Sequence, residues 1–282
     1  MNALQRLAGG AATAFALFAL TAPALAGGSL KDKPAEPRRC TFSANVALAT
    51  EYVFRGFSQT AQNPAVQGGF DATCGMFYAG VWASNLDFGA ISPTGNVASI
   101  EMDWYGGIKF NTGKLAWDIG IIYYSYPGNT KLGANGVPGD FNYVEGKIGV
   151  SSEVWKGGTL GTTVYYSPNY TNDQGQVITS ETTFSQVLPK VGIFTPTFSA
   201  LYGYNKNLED NGSLSQLKYF FDTGNFKDHY SYWNAGVTFA FMEKWSLDIR
   251  YWDTDVSNAG GFCNAGIFQC DERVVGTLKF TY

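Results

Sequence analysis

Acidic and basic residues recur at even spacings within segments of alternating polarity. In one such segment Glu101, Asp103 and Lys109 share one parity, while the other parity carries apolar residues such as Met102 and Trp104. Successive side chains of a β-strand point to opposite faces, so this spacing places the charges on one face. Charges inside a membrane barrel tune its ion selectivity, whereas a charge facing lipid costs ~2–4 kcal/mol at mid-membrane. The candidate pore-lining residues are therefore Glu51, Arg55, Glu101, Asp103, Asp118, Glu145, Lys147, Asp248, Arg250, Arg273 and Lys279.

The order of the strands predicts two opposed charged walls in the outer half of such a lumen. Opposed walls would create a transverse field in an open pore. The alternative is that the same residues form salt bridges in an interior filled by side chains, and a barrel of about 12 strands lies between the filled and open cases. The basic wall would consist of Arg55, Arg250 and Arg273, and the acidic wall of Glu101, Asp103 and Glu145.

Four cysteines allow three disulfide pairings. Cys40 begins the first predicted strand and Cys74 ends the second, so both lie at one rim of neighbouring strands. Cys263 and Cys270 share the last long connection. In an oxidising compartment this arrangement favours the disulfides Cys40–Cys74 and Cys263–Cys270. A four-cysteine metal site would need both pairs on one side of the membrane, so no metal is expected there.

The sequence contains no recognisable catalytic set. The single histidine, His229, follows Asp228, and Ser231 lies two residues further along the same strand edge. Nucleophilic catalysis needs a nucleophile, a base and an orienting group in mutual reach, which this spacing does not supply. We therefore expect no enzymatic activity, no catalytic residues and no cofactor.

A short acidic motif resembles the start of a calcium loop. Asp253 and Asp255 have the right spacing, but Asn258 replaces the required glycine and Asn264 replaces the final glutamate. The motif is therefore interpreted as a polar loop, and no metal site is expected from it.

Composition indicates a β protein that is rich in aromatic residues and glycine and poor in charged residues. Charged residues are only 15% of the 282-residue chain, aromatic residues are 16%, and glycine occurs 34 times. The mean hydropathy of −0.10 excludes a protein with many membrane-spanning helices, and the isoelectric point of about 5.0 argues against nucleic-acid binding. The abundance of aromatic residues argues against disorder.

The N-terminus has the pattern of a secretory signal peptide. Arg6 precedes an uncharged run of Ala, Leu and Phe, and Ala24 and Ala26 provide the small residues of a cleavage site. Residues 1–26 are therefore predicted to be removed on export. Residues 27–40 are polar and contain two prolines, which predicts a periplasmic linker.

From residue 41 onwards, apolar and polar residues alternate with a period of two. This alternation predicts one all-β domain over 41–282. Tight turns alternate with long connections rich in Asn, Gly, Asp and Pro, as in outer-membrane barrels with periplasmic turns and extracellular loops. The predicted fold is a single antiparallel up-and-down transmembrane β-barrel of about 12 strands. The strands are expected at 41–54, 66–74, 76–87, 98–110, 114–126, 142–154, 159–167, 179–188, 196–206, 229–241, 245–254 and 272–282.

The chain ends on a strand with apolar residues on one parity, namely Leu278, Phe280 and Tyr282. Pairing of this strand with the first would remove both sheet edges. An aromatic terminus of this kind resembles the signal read by the barrel-assembly machinery. The expected partners are that machinery, outer-membrane lipid and small polar solutes, without nucleic acid.

Several stretches between residues 41 and 170 resemble the TorF-type porin family of Gram-negative outer-membrane proteins. The shared elements include TFSANVALATEYVFRGFSQT at 41–60, GMFYAGVWASNLDF at 75–88 and WDIGIIYYSYPG at 117–128. The resemblance implies an outer-membrane barrel with a pore role and no agreed substrate. The four cysteines are not part of the family pattern.

Together these observations predict an outer-membrane channel for passive passage of small polar solutes or ions. Two alternatives stay open at this point. One is a structural or adhesive barrel with a filled lumen, and the other is a barrel enzyme such as a lipid hydrolase.

Overall fold

Twelve long antiparallel strands close into one barrel in the computed structural model. The structure describes residues 40–87, 98–129, 140–171, 174–209, 219–221, 225–256, 263 and 269–282. The predicted signal peptide at 1–26 and residues 27–39 of the predicted linker lie outside this range. The strands are Thr41–Ala49 (β1), Val53–Phe54 (β2), Phe57–Ser58 (β3), Ala65–Cys74 (β4), Phe77–Asn85 (β5), Ile100–Thr112 (β6), Leu115–Ser125 (β7), Tyr143–Trp155 (β8), Gly158–Ser167 (β9), Val177–Val187 (β10), Thr195–Asn207 (β11), Tyr219–Phe221 (β12), Asn225–Lys227 (β13), His229–Phe241 (β14), Trp245–Thr254 (β15) and Arg273–Thr281 (β16).

The barrel strands follow one another around the wall in chain order. The order is β1-β16-β15-β14-β11-β10-β9-β8-β7-β6-β5-β4, with β4 pairing back to β1. The four short strands form two separate hairpins, β2–β3 and β12–β13. The predicted closed antiparallel barrel of 12 strands is thereby confirmed.

Side-chain exposure follows the period of two along each barrel strand. On β1, Phe42 and Leu48 point outward and are 66% and 59% exposed, while the intervening Ala47 and Ala49 are buried. On β7, Ile121 is 56% exposed and its neighbour Ile122 is only 2% exposed. Large apolar residues therefore cover the exterior, and the polar residues of the strands point into the barrel.

The two ends of the barrel differ in the length of their connections. At the turn end, tight turns join strand pairs such as β14 and β15, where Met242 and Glu243 adopt positive φ angles of 49° and 62°. The first and last strands also begin and end there. At the loop end, the connections are longer, and the one between β1 and β4 has 15 residues, from 50 to 64.

The barrel closes where β1 meets β16. This seam has five residue pairs, from Asn45↔Thr281 to Ala49↔Thr277, and is the shortest of the twelve ladders in the wall. Backbone hydrogen bonds between Ala44 and Tyr282, at 2.8 and 3.2 Å, continue it towards the turn end.

The predicted strand at 41–54 is too long. β1 ends at Ala49, and Tyr52 and Phe54 leave the outward face and enter the barrel interior. A strand that continued to residue 54 would have placed both side chains on the outward face with Phe42 and Leu48. The chain instead turns inward after β1, because buried partners on the far wall bind the following residues.

Among the described residues, no helix is long and apolar enough to cross a membrane.

Candidate functional site

The candidate site is the barrel lumen, and its loop-end half is crossed by residues 50–64, which we call the inner loop. A two-residue hairpin at its centre joins β2 to β3 through Arg55 and Gly56, with φ angles of 48° and 87°. Positive φ at both central residues is the geometry of a type I′ turn. Glycine is required at position 56, because a Cβ there would collide with the side chain of Thr254.

The hairpin places the Arg55 side chain against the opposite wall of the barrel, at β8. Its two terminal nitrogens each donate to a different carboxylate oxygen of Glu145 on β8, both at 2.8 Å. The pair is almost completely buried, with side chains 3% and 1% exposed. A bidentate pair of this kind has the strongest geometry available to arginine and carboxylate.

Three tyrosines lie against this ion pair. The hydroxyl of Tyr124 donates to Glu145 at 2.9 Å, and Arg55 donates to the hydroxyl of Tyr170 at 3.2 Å. The guanidinium also lies 5.1 Å from the ring centre of Tyr165, within reach of a cation–π interaction. We call Arg55, Glu145, Tyr124, Tyr165 and Tyr170 the Arg55 cluster.

The β14 wall closes the cluster from the other side. Tyr230 donates its hydroxyl proton to the backbone carbonyl of Arg55 at 3.0 Å. Tyr232, which is fully buried, donates to Glu181 at 2.6 Å. A network of hydrogen-bonded side chains therefore crosses the loop-end half.

An acidic pair lies beside the inner loop on β6. Glu101 and Asp103 point inward at alternate positions and are buried. Glu101 accepts a hydrogen bond from the Tyr52 hydroxyl at 3.0 Å. Tyr52 itself packs edge-on against Trp82, with ring centres 5.3 Å apart.

The turn-end half of the lumen has a different character. Asp118 accepts hydrogen bonds from Lys147 at 2.9 Å and from Tyr78 at 2.7 Å, and the ammonium of Lys109 lies 4.0 Å from it. The three charged side chains are between 14% and 22% exposed. These three charged side chains therefore remain partly accessible to water, unlike the buried pair of the loop-end half.

A second buried ion pair lies on the β15 wall. Arg250 donates to both oxygens of Asp248 at 3.0 Å and also binds Asn234 at 2.7 Å and Ser199 at 2.8 Å. A cavity of about 40 Å³ adjoins this pair and is also lined by Glu51. That volume is sufficient for ordered water.

The structure corrects the predicted opposed walls. Arg55 contacts Glu145 directly, Arg250 pairs with Asp248 on its own strand, and Arg273 donates to Glu51 at 2.7 Å. Water therefore does not separate the basic and acidic sets in the way that the parity predicted. The salt-bridged alternative describes this half of the lumen better.

The eleven candidate pore-lining residues all lie inside the barrel. Nine project from the inward faces of barrel strands, whereas Glu51 and Arg55 belong to the inner loop and not to a strand. Sequence reasoning missed the inner loop and the tyrosines of the Arg55 cluster as parts of one site. The only signal for the loop was the Arg-Gly pair between aromatic residues.

The two disulfides join the cysteines that topology had selected. Cys40 and Cys74 connect the start of β1 to the end of β4 at the turn end, and Cys263 and Cys270 connect at the loop end. No described cysteine is free.

The histidine region does not assemble a catalytic set. His229 Nδ1 lies 2.7 Å from Asp228, and this hydrogen bond lowers the pKa of the Asp228 carboxyl. The Ser231 hydroxyl instead pairs with Tyr202 at 2.9 Å. Within the described ranges, no three His, Cys, Asp or Glu side chains gather as a metal site.

A family model covers nearly the whole chain. Residues 32–282 match the family described as "Bacterial protein of unknown function (Gcw_chp)". The chain belongs to this family. No curated protein matches the chain.

Solved barrel structures are similar in architecture only. The NanC porin is 7% identical with a TM-score of 0.48, over 86% of this chain and 98% of that one. The KdgM porin is 6% identical with a TM-score of 0.48, over 85% and 98%. An outer membrane channel from Pseudomonas putida F1 is 8% identical with a TM-score of 0.48, over 89% and 99%. At this level of similarity they assign no substrate or site residue to this member of the family.

Proposed function

We propose that this protein is a channel of the bacterial outer membrane that passes small polar solutes or ions. The observation that carries the proposal is the lumen of the turn-end half, where charged side chains such as Asp118 and Lys147 remain partly exposed to water inside a closed barrel.

The membrane location is supported by the exterior of the barrel. Large apolar side chains such as Phe42, Leu48 and Ile121 cover the outward face and are more than half exposed. Contiguous apolar surface of this extent is unfavourable in water and suits the hydrocarbon layer of a membrane. Export through the predicted signal peptide at 1–26 agrees with this location.

The last strand supports a role for the barrel-assembly machinery. β16 carries outward-facing Val274 and Leu278, and Tyr282 beside it is 78% exposed. We propose that the machinery recognises this strand before it pairs with β1.

In this proposal the inner loop narrows the pathway at the loop end. Only small solutes would pass beside the Arg55 cluster, so the single-channel conductance would be low. Net transport would be passive, driven by the concentration difference of the solute.

A planar-bilayer recording of the refolded mature chain, residues 27–282, tests the channel function. We expect discrete conductance steps, together with liposome swelling that declines as the test sugar grows from a pentose to a trisaccharide. Equal amounts of detergent and of unfolded protein serve as controls.

A second candidate function is a non-conducting structural or adhesive barrel. The buried Arg55–Glu145 pair favours it, because this pair and its tyrosines fill the lumen at the loop end. A correctly folded protein that neither conducts nor supports swelling would select this second function over the channel.

A further inference from the structure

The cavity beside Arg250 lies between the inner loop and the wall formed by β15, β16 and β1. Its volume is about 40 Å³, and it is lined by Tyr52 of the inner loop and by Ala49 and Thr277 of the wall. In the twelve-stranded wall β16 lies six strands from β8, which carries Glu145. The loop-end half therefore keeps unfilled space across the lumen from the Arg55 cluster.

The charged side chains at this cavity are paired with each other. Asp248 binds Arg250 at 3.0 Å, and Glu51 binds Arg273 at 2.7 Å. Each pair is neutral as a whole. An ion that enters the cavity therefore meets no unpaired charge from these residues.

The acidic side chains of β6 are separated from the cavity by Tyr52. This residue lines the cavity and also donates its hydroxyl proton to Glu101 at 3.0 Å. Neither Glu101 nor Asp103 lines the cavity. Their charges therefore act on a passing ion from behind an aromatic ring and not from the wall of the cavity.

Lys279 projects into the lumen on the turn-end side of the cavity. It follows Thr277 by two residues on the inward face of β16, which places it about 7 Å nearer the turn end. Its ammonium group forms no ion pair with any described residue. The inward-facing Asp71 on β4 instead accepts a hydrogen bond from Tyr105 at 2.6 Å. An unpaired positive charge therefore lies at the inner end of the cavity.

The turn-end half beyond Lys279 holds two more lysines. Lys109 and Lys147 share one carboxylate, that of Asp118, at 4.0 and 2.9 Å. The lysines of this half therefore outnumber the carboxylates that pair with them.

We propose that small anions cross the loop-end half through this cavity and that Lys279 selects them. The inference rests on the proposed channel function and adds to it the route and the charge of the solute. Lysine and arginine side chains that line a pore attract anions and repel cations. The size of the cavity restricts the route to small anions such as chloride.

Reversal potentials of the refolded mature chain in planar bilayers, measured in a gradient of potassium chloride, test the selectivity. We expect the wild type to favour chloride over potassium. Lys279→Met should lower the chloride-to-potassium permeability ratio about threefold, because a unit charge acts over several ångströms even in water. Lys279→Arg keeps the charge and should retain the preference for chloride.

A matched control for the charge is Lys114→Met. Lys114 lies in the tight turn between β6 and β7, at the same end of the barrel, and its side chain is exposed. Its replacement removes the same charge from outside the lumen and should leave the permeability ratio unchanged.

The route is tested by filling the cavity. Ala49→Leu adds three carbon atoms at the cavity wall and should lower the chloride conductance about twofold or more, because the added atoms displace the water held there. Ala44→Leu makes the same change on the outward face of β1 and should leave the conductance unchanged. Heat-modifiable gel migration verifies that each variant is folded, and Ala49→Val replaces Ala49→Leu if the larger side chain prevents folding.

The outcomes separate this inference from the channel function. A wild type that conducts but prefers potassium, or a permeability ratio that Lys279→Met does not change, would overturn the inference and leave the channel function standing. Equal chloride conductance in wild type and in the folded cavity-filling variant would overturn the route. A folded wild type without conductance would overturn both the channel function and this inference.

Discussion

The two halves of the lumen use charged residues in opposite ways. In the loop-end half, Arg55 and Glu145 are buried, bidentate and enclosed by tyrosines. In the turn-end half, Asp118, Lys109 and Lys147 form a looser group in contact with water. The same barrel wall therefore supports a packed polar core at one end and a hydrated vestibule at the other.

The difference arises from one segment of chain. The inner loop brings Arg55 from the β1 side to the far wall, and its backbone accepts the hydrogen bond from Tyr230. No comparable segment of the described chain enters the turn-end half, because the connections there are tight turns. Charges of the loop-end half should accordingly affect stability, and charges of the turn-end half should affect ion passage.

Arg55→Ala should give the largest effect. It leaves Glu145 buried and unpaired, and breaking a buried pair in this way costs about 3–5 kcal/mol. Urea unfolding of the protein in lipid vesicles, followed by tryptophan fluorescence, measures the loss. If the channel proposal is correct, single-channel conductance should rise at the same time, because the obstructing side chain is gone.

The matched control for Arg55 is Lys206→Ala. Lys206 lies at the same end of the barrel, and its pair with Asp228 is exposed, at 3.4 Å. Loss of this pair should change the unfolding free energy by less than about 1 kcal/mol. Equal effects of the two variants would show that the loop-end half is not a packed core.

The two disulfides should differ in the stability that they contribute. Cys40–Cys74 spans 34 residues and Cys263–Cys270 spans 7. Loop-closure entropy assigns about 4 kcal/mol to the longer loop and about 2 kcal/mol to the shorter one. Double alanine variants of each pair, unfolded in urea, provide the comparison, and a larger loss for the Cys263–Cys270 pair would contradict it.

Asp118→Asn should have the smallest effect on stability and a clear effect on the ion selectivity of the channel. The variant removes one negative charge beside Lys109 and Lys147 in the lumen, so the reversal potential should shift towards anions. The unfolding free energy should change by less than it does for Arg55→Ala, because Asp118 keeps partial contact with water. The shift should shrink at 1 M salt, where the Debye length is about 3 Å.

A surface carboxylate provides the control for this selectivity measurement. Asp253 lies on the outward parity of β15 and accepts a hydrogen bond from Tyr251 at 3.0 Å. Asp253→Asn should leave the reversal potential unchanged. A shift of similar size in both variants would mean that selectivity is not set within the lumen.

The alternation of polar and apolar residues along the sequence predicted most of the strands in the barrel wall. The predicted bounds 229–241 and 245–254 agree with β14 and β15 at every residue, since the tight turn between them leaves little freedom. The inner loop was not predictable in this way, because Tyr52 and Phe54 continue the parity of β1. Their inward position depends on partners far away in sequence, such as Glu145, which local periodicity does not register.

The candidate site was predictable as a set of inward residues and not as a network. Parity placed Glu101, Asp103 and Glu145 inside the barrel, as the structure does. It gave no information on the tyrosine hydroxyls or on the partner of each charge. The β12–β13 hairpin within the connection at 207–228 was also missed.

The short seam between β1 and β16 has a consequence for mechanical opening. With five residue pairs it has the fewest inter-strand hydrogen bonds to break, while Cys40–Cys74 fastens β1 covalently to β4 on its other side. If the wall is pulled apart, we expect it to separate first between β1 and β16. β1 would then remain paired with β4, and β16 would remain paired with β15.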